Sequence, residues 1–363
     1  MERMADLPQP RPSVAGIPAY VAGRPPTPRE GVTTFKLSSN ELPYPPLPGV
    51  LEAATAAAAA MNRYPDMGNT ELYAALADRL GVEVANLAAG TGSTAVIYQL
   101  LSAYCGPGAE VVHPWRSFEA YPIAIAAAGA TAVGVPLTAD GRHDLDAMLA
   151  AVTDRTAVLI LCTPNNPTGP ALSHTEVAAV LDRIPGRVLV ILDEAYREFV
   201  RSDDPVDGVA LLGKHPNLTL TRTFSKAYGL AGLRVGYAVA AEPIAAAVRA
   251  VGLPFGVSAP AQAAAVASLA AEVALAERVD RVVAERDRVV AGLAAAGYDV
   301  PDPQGNFVWL ELGDTTAGFA TAADEVGLMV RPFTAPGTNR GCRVTIGETD
   351  ANTRFLDLAR RLD

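Results

Sequence analysis

The most informative segment of the chain is Thr221-Arg-Thr-Phe-Ser-Lys-Ala-Tyr-Gly-Leu-Ala-Gly-Leu-Arg-Val-Gly-Tyr237. An apolar, strand-like run at 218–220 leads into it, and another at 235–239 overlaps its end. Lys226 is the only lysine of the segment and lies between apolar flanks. Its amine is therefore either solvated on a loop or partly desolvated, with a lowered pKa that suits Schiff-base chemistry. Ser225 and Arg234 would offer a phosphate one hydroxyl donor and one forked cation.

Composition indicates a globular protein whose main partner is not a polyanion. The 363 residues exceed the length at which a single hydrophobic core stops growing, so two domains are expected. Half of the residues are hydrophobic and 19% are charged, which is typical of a globular chain. The formal net charge of −10 argues against nucleic acid or an anionic membrane as the main partner, so local cations must hold any anionic ligand.

Cysteine and histidine usage predicts neither a disulfide framework nor a metal site. The three cysteines lie in apolar or small-residue stretches without CxxC spacing, which favours buried, reduced thiols. The four histidines are scattered and show no HxxxH or HExxH spacing. No apolar signal-peptide core follows the charged N-terminus, and no apolar run convincingly spans a bilayer, so we expect a soluble, cytoplasmic protein.

The middle of the chain predicts an α/β fold with a mostly parallel sheet. Strand-like runs that alternate with helical or loop segments lie at 110–113, 132–136, 157–161, 188–192, 218–221 and 235–239. Near-continuous apolar strands of this kind are typical of a sheet covered by helices on both faces. Ligands bind at the carboxyl ends of such strands. The polar segments that follow the strands are 163–169, 193–196 and 223–226.

The two ends of the chain predict an arm and a smaller domain. Residues 1–50 are rich in proline, so we expect an extended arm without a helix, apart from a short strand near residue 35. Other helices are predicted at 50–61, 71–80 and 315–326, and long helical segments over 261–296. Other strands are predicted at 307–312, 328–332 and 342–347. The predicted division is an N-terminal arm at 1–45, a large domain at 46–241 and a small α+β domain at 242–363.

A Gly-rich turn at 90–92 precedes a helix that we predict to reach residue 104. It places the hydroxyls of Ser93 and Thr94 at the helix N-terminus, which is a ready-made phosphate site; alternatively, one hydroxyl only caps the helix. Asp193 could hold a protonated ring nitrogen or cap a helix, while Asn166 and Tyr196 could bond a phenolate oxygen. Together with Lys226, this inventory is what pyridoxal phosphate requires of a protein.

Three motifs resemble a known family: Pro164-Asn-Asn-Pro-Thr-Gly169, Asp193-Glu-Ala-Tyr196 and Ser225-Lys-Ala-Tyr-Gly-Leu-Ala-Gly-Leu-Arg234. They are similar to the class I/II pyridoxal-phosphate aminotransferases of fold type I, and more narrowly to the histidinol-phosphate aminotransferase branch. The resemblance extends from Lys36-Leu-Ser-Ser-Asn-Glu41 to Cys342-Arg-Val-Thr-Ile-Gly347. It implies a large domain with a mostly parallel seven-stranded sheet, a small α+β domain and pyridoxal 5'-phosphate as cofactor.

The resemblance also implies roles for individual residues. Lys226 is the Schiff-base lysine and the acid/base, and Asp193 pairs with the pyridinium nitrogen. The other cofactor contacts are Asn166 and Tyr196 to the ring oxygen O3', Phe118 stacked on the ring, and Ser93, Thr94, Ser225 and Arg234 to the phosphate. Tyr64 would reach the phosphate of the partner subunit, which implies a homodimer with composite sites. The substrate residues are Arg343, which takes the α-carboxylate, and Arg331, Tyr20 and Asn40.

The same resemblance leaves two substrates open, an aromatic amino acid or histidinol phosphate. Leu37-Ser-Ser-Asn-Glu41 departs from the Asn-Glu-Asn pattern of histidinol-phosphate enzymes, and Val330-Arg-Pro-Phe333 looks more like the aromatic offshoot. We therefore favour phenylalanine or tyrosine as amino donor and a 2-oxo acid as acceptor. A lyase or decarboxylase on the same scaffold would use the same cofactor residues. A ligand-sensing transcription factor is disfavoured, because the roughly forty Pro-rich residues before the domain cannot form a helix-turn-helix.

Overall fold

The strands and helices are taken from a computed structural model, which describes residues 8–17, 20, 23, 25, 27–335 and 339–362. The strands are β1 (Phe35–Lys36), β2 (Leu87–Gly90), β3 (Glu110–Trp115), β4 (Thr131–Pro136), β5 (Thr156–Cys162), β6 (Leu189–Asp193), β7 (Leu218–Thr223), β8 (Gly236–Ala240), β9 (Phe307–Glu311), β10 (Leu328–Met329), β11 (Arg331–Phe333) and β12 (Gly341–Thr345). The helices are α1 (Pro12–Ala15), α2 (Val50–Ala58), α3 (Thr70–Leu80), α4 (Ser93–Tyr104), α5 (Ala120–Ala128), α6 (Leu145–Ala150), α7 (His174–Arg183), α8 (Gly208–Leu212), α9 (Glu242–Ala250), α10 (Ala259–Ala270), α11 (Glu272–Ala295), α12 (Thr316–Glu325) and α13 (Thr349–Leu362).

The central sheet has seven strands in the order β2-β8-β7-β6-β5-β3-β4. Strand β8 runs antiparallel to both β7 and β2, and the other neighbours are parallel. The predicted fold class is therefore confirmed. The sequence indicated β2 only as a short apolar run before a Gly-rich turn; its pairing with β8, from Leu87 opposite Val239 to Gly90 opposite Gly236, makes it a strand.

Both faces of the central strands are buried, which explains their almost continuous apolar sequence. In β6 and β7 every residue is buried. Val190 and Leu192 of β6 join the larger hydrophobic cluster on one face, and Leu189 and Ile191 join the cluster on the other face. This alternation is the two-residue period of a strand with a core on each side. Polar side chains therefore gather at the strand ends, where the apolar runs stop.

The C-terminal region contains an antiparallel sheet in the order β11-β12-β9 and a separate parallel pair of β1 with β10. The single strand predicted at 328–332 was wrong, because its two halves pair with different sheets. The long helical segments predicted over 261–296 are α10 and α11, which meet at Ala271 with an 83° bend. The bend lets α10 bury Ala261 and Leu269, while α11 buries its own apolar stripe.

The prediction that the arm contains no helix fails at α1. Pro12 occupies the first turn of this short helix, where the missing proline N–H would have no intrahelical partner anyway. Part of the arm lies outside the described residues. The proposed domain boundary at residue 242 stays a prediction; Ile244 and Val248 of α9 pack with Ile97 and Leu100 of α4 in one cluster.

Among the described residues, no single helix is long and apolar enough to cross a membrane. Only α10 and α11 taken together reach the required length and composition, and they are bent by 83°.

Gly236 is the position where β8 comes closest to α4. A Cβ atom at this residue would lie 2.3 Å from the backbone nitrogen of Ser93 and 2.7 Å from the carbonyl carbon of Gly92. Because both are backbone atoms, the helix N-terminus would have to move. We predict that Gly236→Ala lowers the free energy of unfolding by about 1–3 kcal/mol, measured by urea denaturation.

The matched control is Gly318→Ala in α12, where an added Cβ meets no atom within 4 Å. Alanine is a better helix former than glycine, so this variant should lose no stability. Equal unfolding midpoints for Gly236→Ala and the unaltered chain would contradict the prediction.

Candidate active site

A cavity of about 340 Å³ lies at the carboxyl ends of the central strands. The last residues of three adjacent strands, Cys162, Asp193 and Thr223, line it. The predicted site residues that the structure brings together in its wall are Tyr20, Ser93, Thr94, Phe118, Asn166, Asp193, Tyr196, Ser225, Lys226, Arg234, Arg331 and Arg343. Residues separated by more than 300 positions in the sequence therefore face one volume.

Lys226 is one of two lysines in this wall, the other being Lys36. The Nζ of Lys226 donates a hydrogen bond to the carbonyl oxygen of Ser39 at 3.0 Å and lies 5.7 Å from the ring centroid of Tyr196. Desolvation by the surrounding protein, together with the charge of the Arg343 guanidinium, lowers the pKa of the amine to about 7. A substantial share of the amine is therefore neutral and nucleophilic near pH 7.

Asp193 is a buried carboxylate with one unsatisfied oxygen. Its Oδ2 accepts a hydrogen bond from the Tyr121 hydroxyl at 2.7 Å, whereas its Oδ1 is buried without a partner in the structure. Burial raises the pKa of Asp193 to about 6, and the hydrogen bond from Tyr121 opposes that rise. A cationic N–H donor placed in the cavity would satisfy Oδ1 and hold the carboxylate in its charged form.

The N-terminus of α4 and Arg234 form a cationic corner of the cavity. Ser93 is the first residue of α4, and Arg234 donates from Nη1 to the Ser225 hydroxyl at 3.1 Å. Gly92 has a φ of +87°, and a Cβ there would lie 2.6 Å from Nη2 of Arg234. Glycine therefore lets the guanidinium approach the helix N-terminus, whose free N–H groups bind anions.

Two arginines from neighbouring strands line the end of the cavity away from Arg234. Arg331 of β11 lies directly opposite Arg343 of β12 in the sheet. Arg343 donates from Nη1 to Asn166 Oδ1 at 2.5 Å and from Nη2 to the carbonyl oxygen of Ser38 at 2.6 Å, while its Nε is buried without a partner. Arg331 donates from Nη2 to Glu119 Oε2 at 2.6 Å. This end is thus suited to an anionic group of a substrate.

Two predicted residues, Asn40 and Tyr64, do not line this cavity. Asn40 is fully buried; it donates from Nδ2 to the Tyr196 hydroxyl at 3.0 Å and accepts from the Thr345 hydroxyl at 3.0 Å. It therefore orients Tyr196, whose own proton remains free to point elsewhere. Tyr64 is 82% exposed and stacks on Phe255, with the ring centroids 4.5 Å apart. Its predicted contact with a partner subunit stays a prediction.

Comparisons with known proteins agree with this geometry. Residues 32–357 match the family model described as aminotransferase class I and II. The chain belongs to this family. An aromatic amino acid aminotransferase of Streptomyces coelicolor is 54% identical over 352 residues, and 97% of each chain is covered. Another, of Rhodococcus opacus, is 52% identical over 352 residues, which covers 97% of this chain and 95% of the relative.

A solved structure gives the same result for the fold. Histidinol-phosphate aminotransferase from Sinorhizobium meliloti, in complex with pyridoxal 5'-phosphate, is 30% identical and has a TM-score of 0.87. The match covers 99% of this chain and 100% of that chain. The fold is therefore that of the fold-type I aminotransferases, as the resemblance implied.

The cofactor of this aminotransferase is pyridoxal 5'-phosphate, and the residues present fit it. The buried Oδ1 of Asp193 has no hydrogen-bond partner, and a protonated ring nitrogen would supply one. Lys226 offers an amine whose pKa is lowered to about 7. The α4 N-terminus, Ser225 and Arg234 offer donors and a cation to a phosphate.

Several contacts of this aminotransferase site could not be read from the motifs. The carbonyl oxygens of Ser38 and Ser39 hold Arg343 and Lys226, and a backbone oxygen has no sequence signature. Glu119 and Tyr121, the partners of Arg331 and Asp193, lie next to Phe118 in the segment 115–121. Their nearness to a predicted stacking residue was a signal that could have identified them.

We predict that Lys226 of the cofactor-free aminotransferase becomes reactive as the pH rises through about 7. The pKa is lowered, so the neutral amine predominates above this value and reactivity reaches a plateau. Trace acetylation followed by mass spectrometry measures the reactivity of Lys226 at each pH, and the exposed Lys214 serves as internal reference. Arg343→Gln removes a nearby positive charge and should move the midpoint upward. A midpoint in the ordinary lysine range would show that the amine is solvated.

Proposed function

We propose that this aminotransferase moves the amino group of phenylalanine or tyrosine to a 2-oxo acid such as 2-oxoglutarate. The main support for amino-group transfer is that Lys226, Asp193 and Arg343 line the same cavity. The aromatic choice is supported by relatives at 49–54% identity that are named aromatic amino acid aminotransferases. It is also supported by the aromatic rings in the wall, which are those of Tyr20, Phe118, Tyr196 and Phe333.

The cofactor-holding residues follow from the donors at each end of the cavity. Asp193 would pair with the ring nitrogen, and the charge on that nitrogen would keep the carboxylate ionised. Tyr196 accepts a hydrogen bond from Asn40, so its own proton can be donated to the ring oxygen. Asn166 accepts from Arg343 through Oδ1, and its amide nitrogen can donate to the same ring oxygen. The phosphate would lie against Ser93, Thr94, Ser225 and Arg234, and Phe118 would stack on the ring.

Lys226 would hold and move a proton at the substrate Cα. Pyridoxal phosphate, when bound, supplies the electron sink that makes this Cα–H acidic. An amine whose pKa is lowered to about 7 can accept and return a proton near neutral pH, where an ordinary lysine would stay protonated. The contact with Ser39 and the nearby Tyr196 ring hold the lysine at the cavity wall.

Arg343 would bind the substrate carboxylate. Two of its N–H groups are used by Asn166 and Ser38, and its buried Nε has no partner, so donors remain for an anion. A planar guanidinium held from two sides fixes the direction of the carboxylate and therefore of Cα. Its hydrogen bond to Asn166 also connects the arginine that would bind the substrate carboxylate to a residue that would contact the ring oxygen of the cofactor.

Histidinol phosphate is the second candidate substrate. The specific observation in its favour is the pair of arginines, Arg331 and Arg343, which lie opposite each other and line the same cavity. Two guanidinium groups suit the larger charge of a phosphate. The solved relative from Sinorhizobium meliloti carries that substrate in its name.

We also propose a homodimer whose two sites each include Tyr64 of the other chain. Large apolar side chains are exposed around Tyr64, including Met61, Met67, Leu253 and Phe255. A second cavity of about 480 Å³, lined by Met67, Leu253 and Phe255, also reaches Thr94 and Arg234 of the phosphate corner. An apolar surface that continues into the site is what a second copy would cover.

The substrate proposal is tested by single-turnover reaction of the cofactor-loaded protein. Phenylalanine, tyrosine and histidinol phosphate are added separately, and the visible absorbance of the cofactor is followed. We predict that the apparent second-order rate constant is roughly tenfold or more higher for the aromatic amino acids. A higher rate constant with histidinol phosphate would replace the first candidate by the second. Lys226→Ala is the control and should show no conversion with any donor.

The dimer proposal is tested by mixing two variants that carry different tags, Lys226→Ala and Tyr64→Phe. A heterodimer purified through both tags should contain one site with neither lesion, because Tyr64 of one chain would serve Lys226 of the other. We predict that half of the sites regain the cofactor affinity of the unaltered protein. If every functional site binds the cofactor as weakly as the Tyr64→Phe homodimer, Tyr64 does not act across the interface.

A further inference from the structure

Glu119 stands out among the residues that line the active-site cavity. Of the described residues in that wall, only Asp193 and Glu119 are acidic. Asp193 lies at the end of β6 and is engaged by Tyr121. Glu119 lies at the opposite end, in an ion pair with Arg331 whose Nη2 and Oε2 are 2.6 Å apart. A carboxylate beside an arginine that serves an anionic substrate opposes binding, so its presence there needs a reason.

The position of Glu119 is fixed by its neighbours in sequence. Ser117 donates to Asn165 Oδ1 at 2.7 Å, and Phe118 packs edge-to-face on Tyr121 with the ring centroids 5.5 Å apart. Tyr121 in turn donates to Asp193. Glu119 therefore lies between anchored residues, immediately before α5. Its side chain is 31% exposed and that of Arg331 is 10% exposed, so the pair lies at the cavity and not on open surface.

Glu119 acts on more than one cation. Arg331 and Arg343 lie opposite each other on adjacent strands, where like charges repel. Arg116 and Arg331 both lie over the ring of Phe333, at 5.5 Å and 5.4 Å from its centroid. Burial lowers the pKa of the Arg343 guanidinium, and Glu119 is among the groups that oppose this. The carboxylate thus reduces the positive potential that this cluster of arginines presents to a ligand.

We infer that Glu119 is a specificity-determining residue, which makes the anion-binding end of the cavity favour a carboxylate over a phosphate ester. The inference rests on the proposed function and deepens it. Coulomb energy is proportional to ligand charge, so the repulsion from Glu119 is about twice as large for a dianion as for a monoanion at the same place. Glu119 also occupies one N–H of Arg331 that a third phosphate oxygen would need.

The test compares two ligands with the same ring and spacer, 3-phenylpropionate and 2-phenylethyl phosphate. At pH 8 the first is a monoanion and the second a dianion, because the second pKa of a phosphate monoester is about 6. Calorimetric titration of the cofactor-loaded protein yields both dissociation constants without requiring turnover. For Glu119→Gln we expect the affinity ratio of phosphate to carboxylate ligand to rise roughly tenfold or more.

Two control variants separate this effect from a general change of charge or structure. Glu119→Asp keeps the carboxylate and should keep the low ratio. Glu272→Gln removes the same charge from a residue that is paired with Arg79 and does not line the cavity, and it should leave the ratio unchanged. An unchanged ratio in Glu119→Gln, or an equal gain for both ligands, would overturn the inference. Failure of the proposed function would appear separately, as absent turnover of phenylalanine by the unaltered protein.

Discussion

Asp193 and Lys226 bring a carboxylate and an amine into the same cavity, and the rest of the site is arranged around these two desolvated groups. Burial moves their pKa values toward each other, to about 6 and about 7. Neither side chain is paired with the other: Tyr121 holds the carboxylate, and the Ser39 carbonyl oxygen holds the amine. Without a cofactor, both groups are therefore close to a change of protonation. The lowered pKa of Lys226 suits proton transfer near neutral pH, whereas a protonated ring nitrogen would keep Asp193 ionised.

The strand order of the large sheet places these groups together. Cys162, Asp193 and Thr221 are aligned on β5, β6 and β7, so the Asp193 carboxylate lies in the middle of the sheet. After β7 the chain passes through Lys226 and returns as the antiparallel strand β8, and Gly236 brings that strand against the N-terminus of α4. This short return of the chain thus supplies the lysine and the arginine and lies against the N–H groups of the α4 N-terminus.

The substrate end depends on segments that are distant in sequence. Arg343 of β12 contacts Ser38 of the N-terminal region and Asn166 of the loop after β5. A shift of any of these three segments would change the direction of the guanidinium, and hence the position of a bound carboxylate. Glu119 and Arg331 add a second link between the large sheet and the C-terminal strands. The arrangement of these two arginines is therefore a property of the assembled tertiary structure.

The order of apolar runs and polar strand ends was enough, by sequence alone, to predict the mostly parallel sheet and to single out Lys226, Ser225 and Arg234, which line one cavity in the structure. These features are local, because a strand, a Gly-rich turn and a Ser-Lys pair each depend on residues close in the chain. Tertiary structure alone decided the bend between α10 and α11, the division of 328–333 between two sheets, and the pairing of Glu119 with Arg331. Backbone carbonyl partners and contacts between distant segments leave no trace in local sequence, since packing selects them only after the chain has folded.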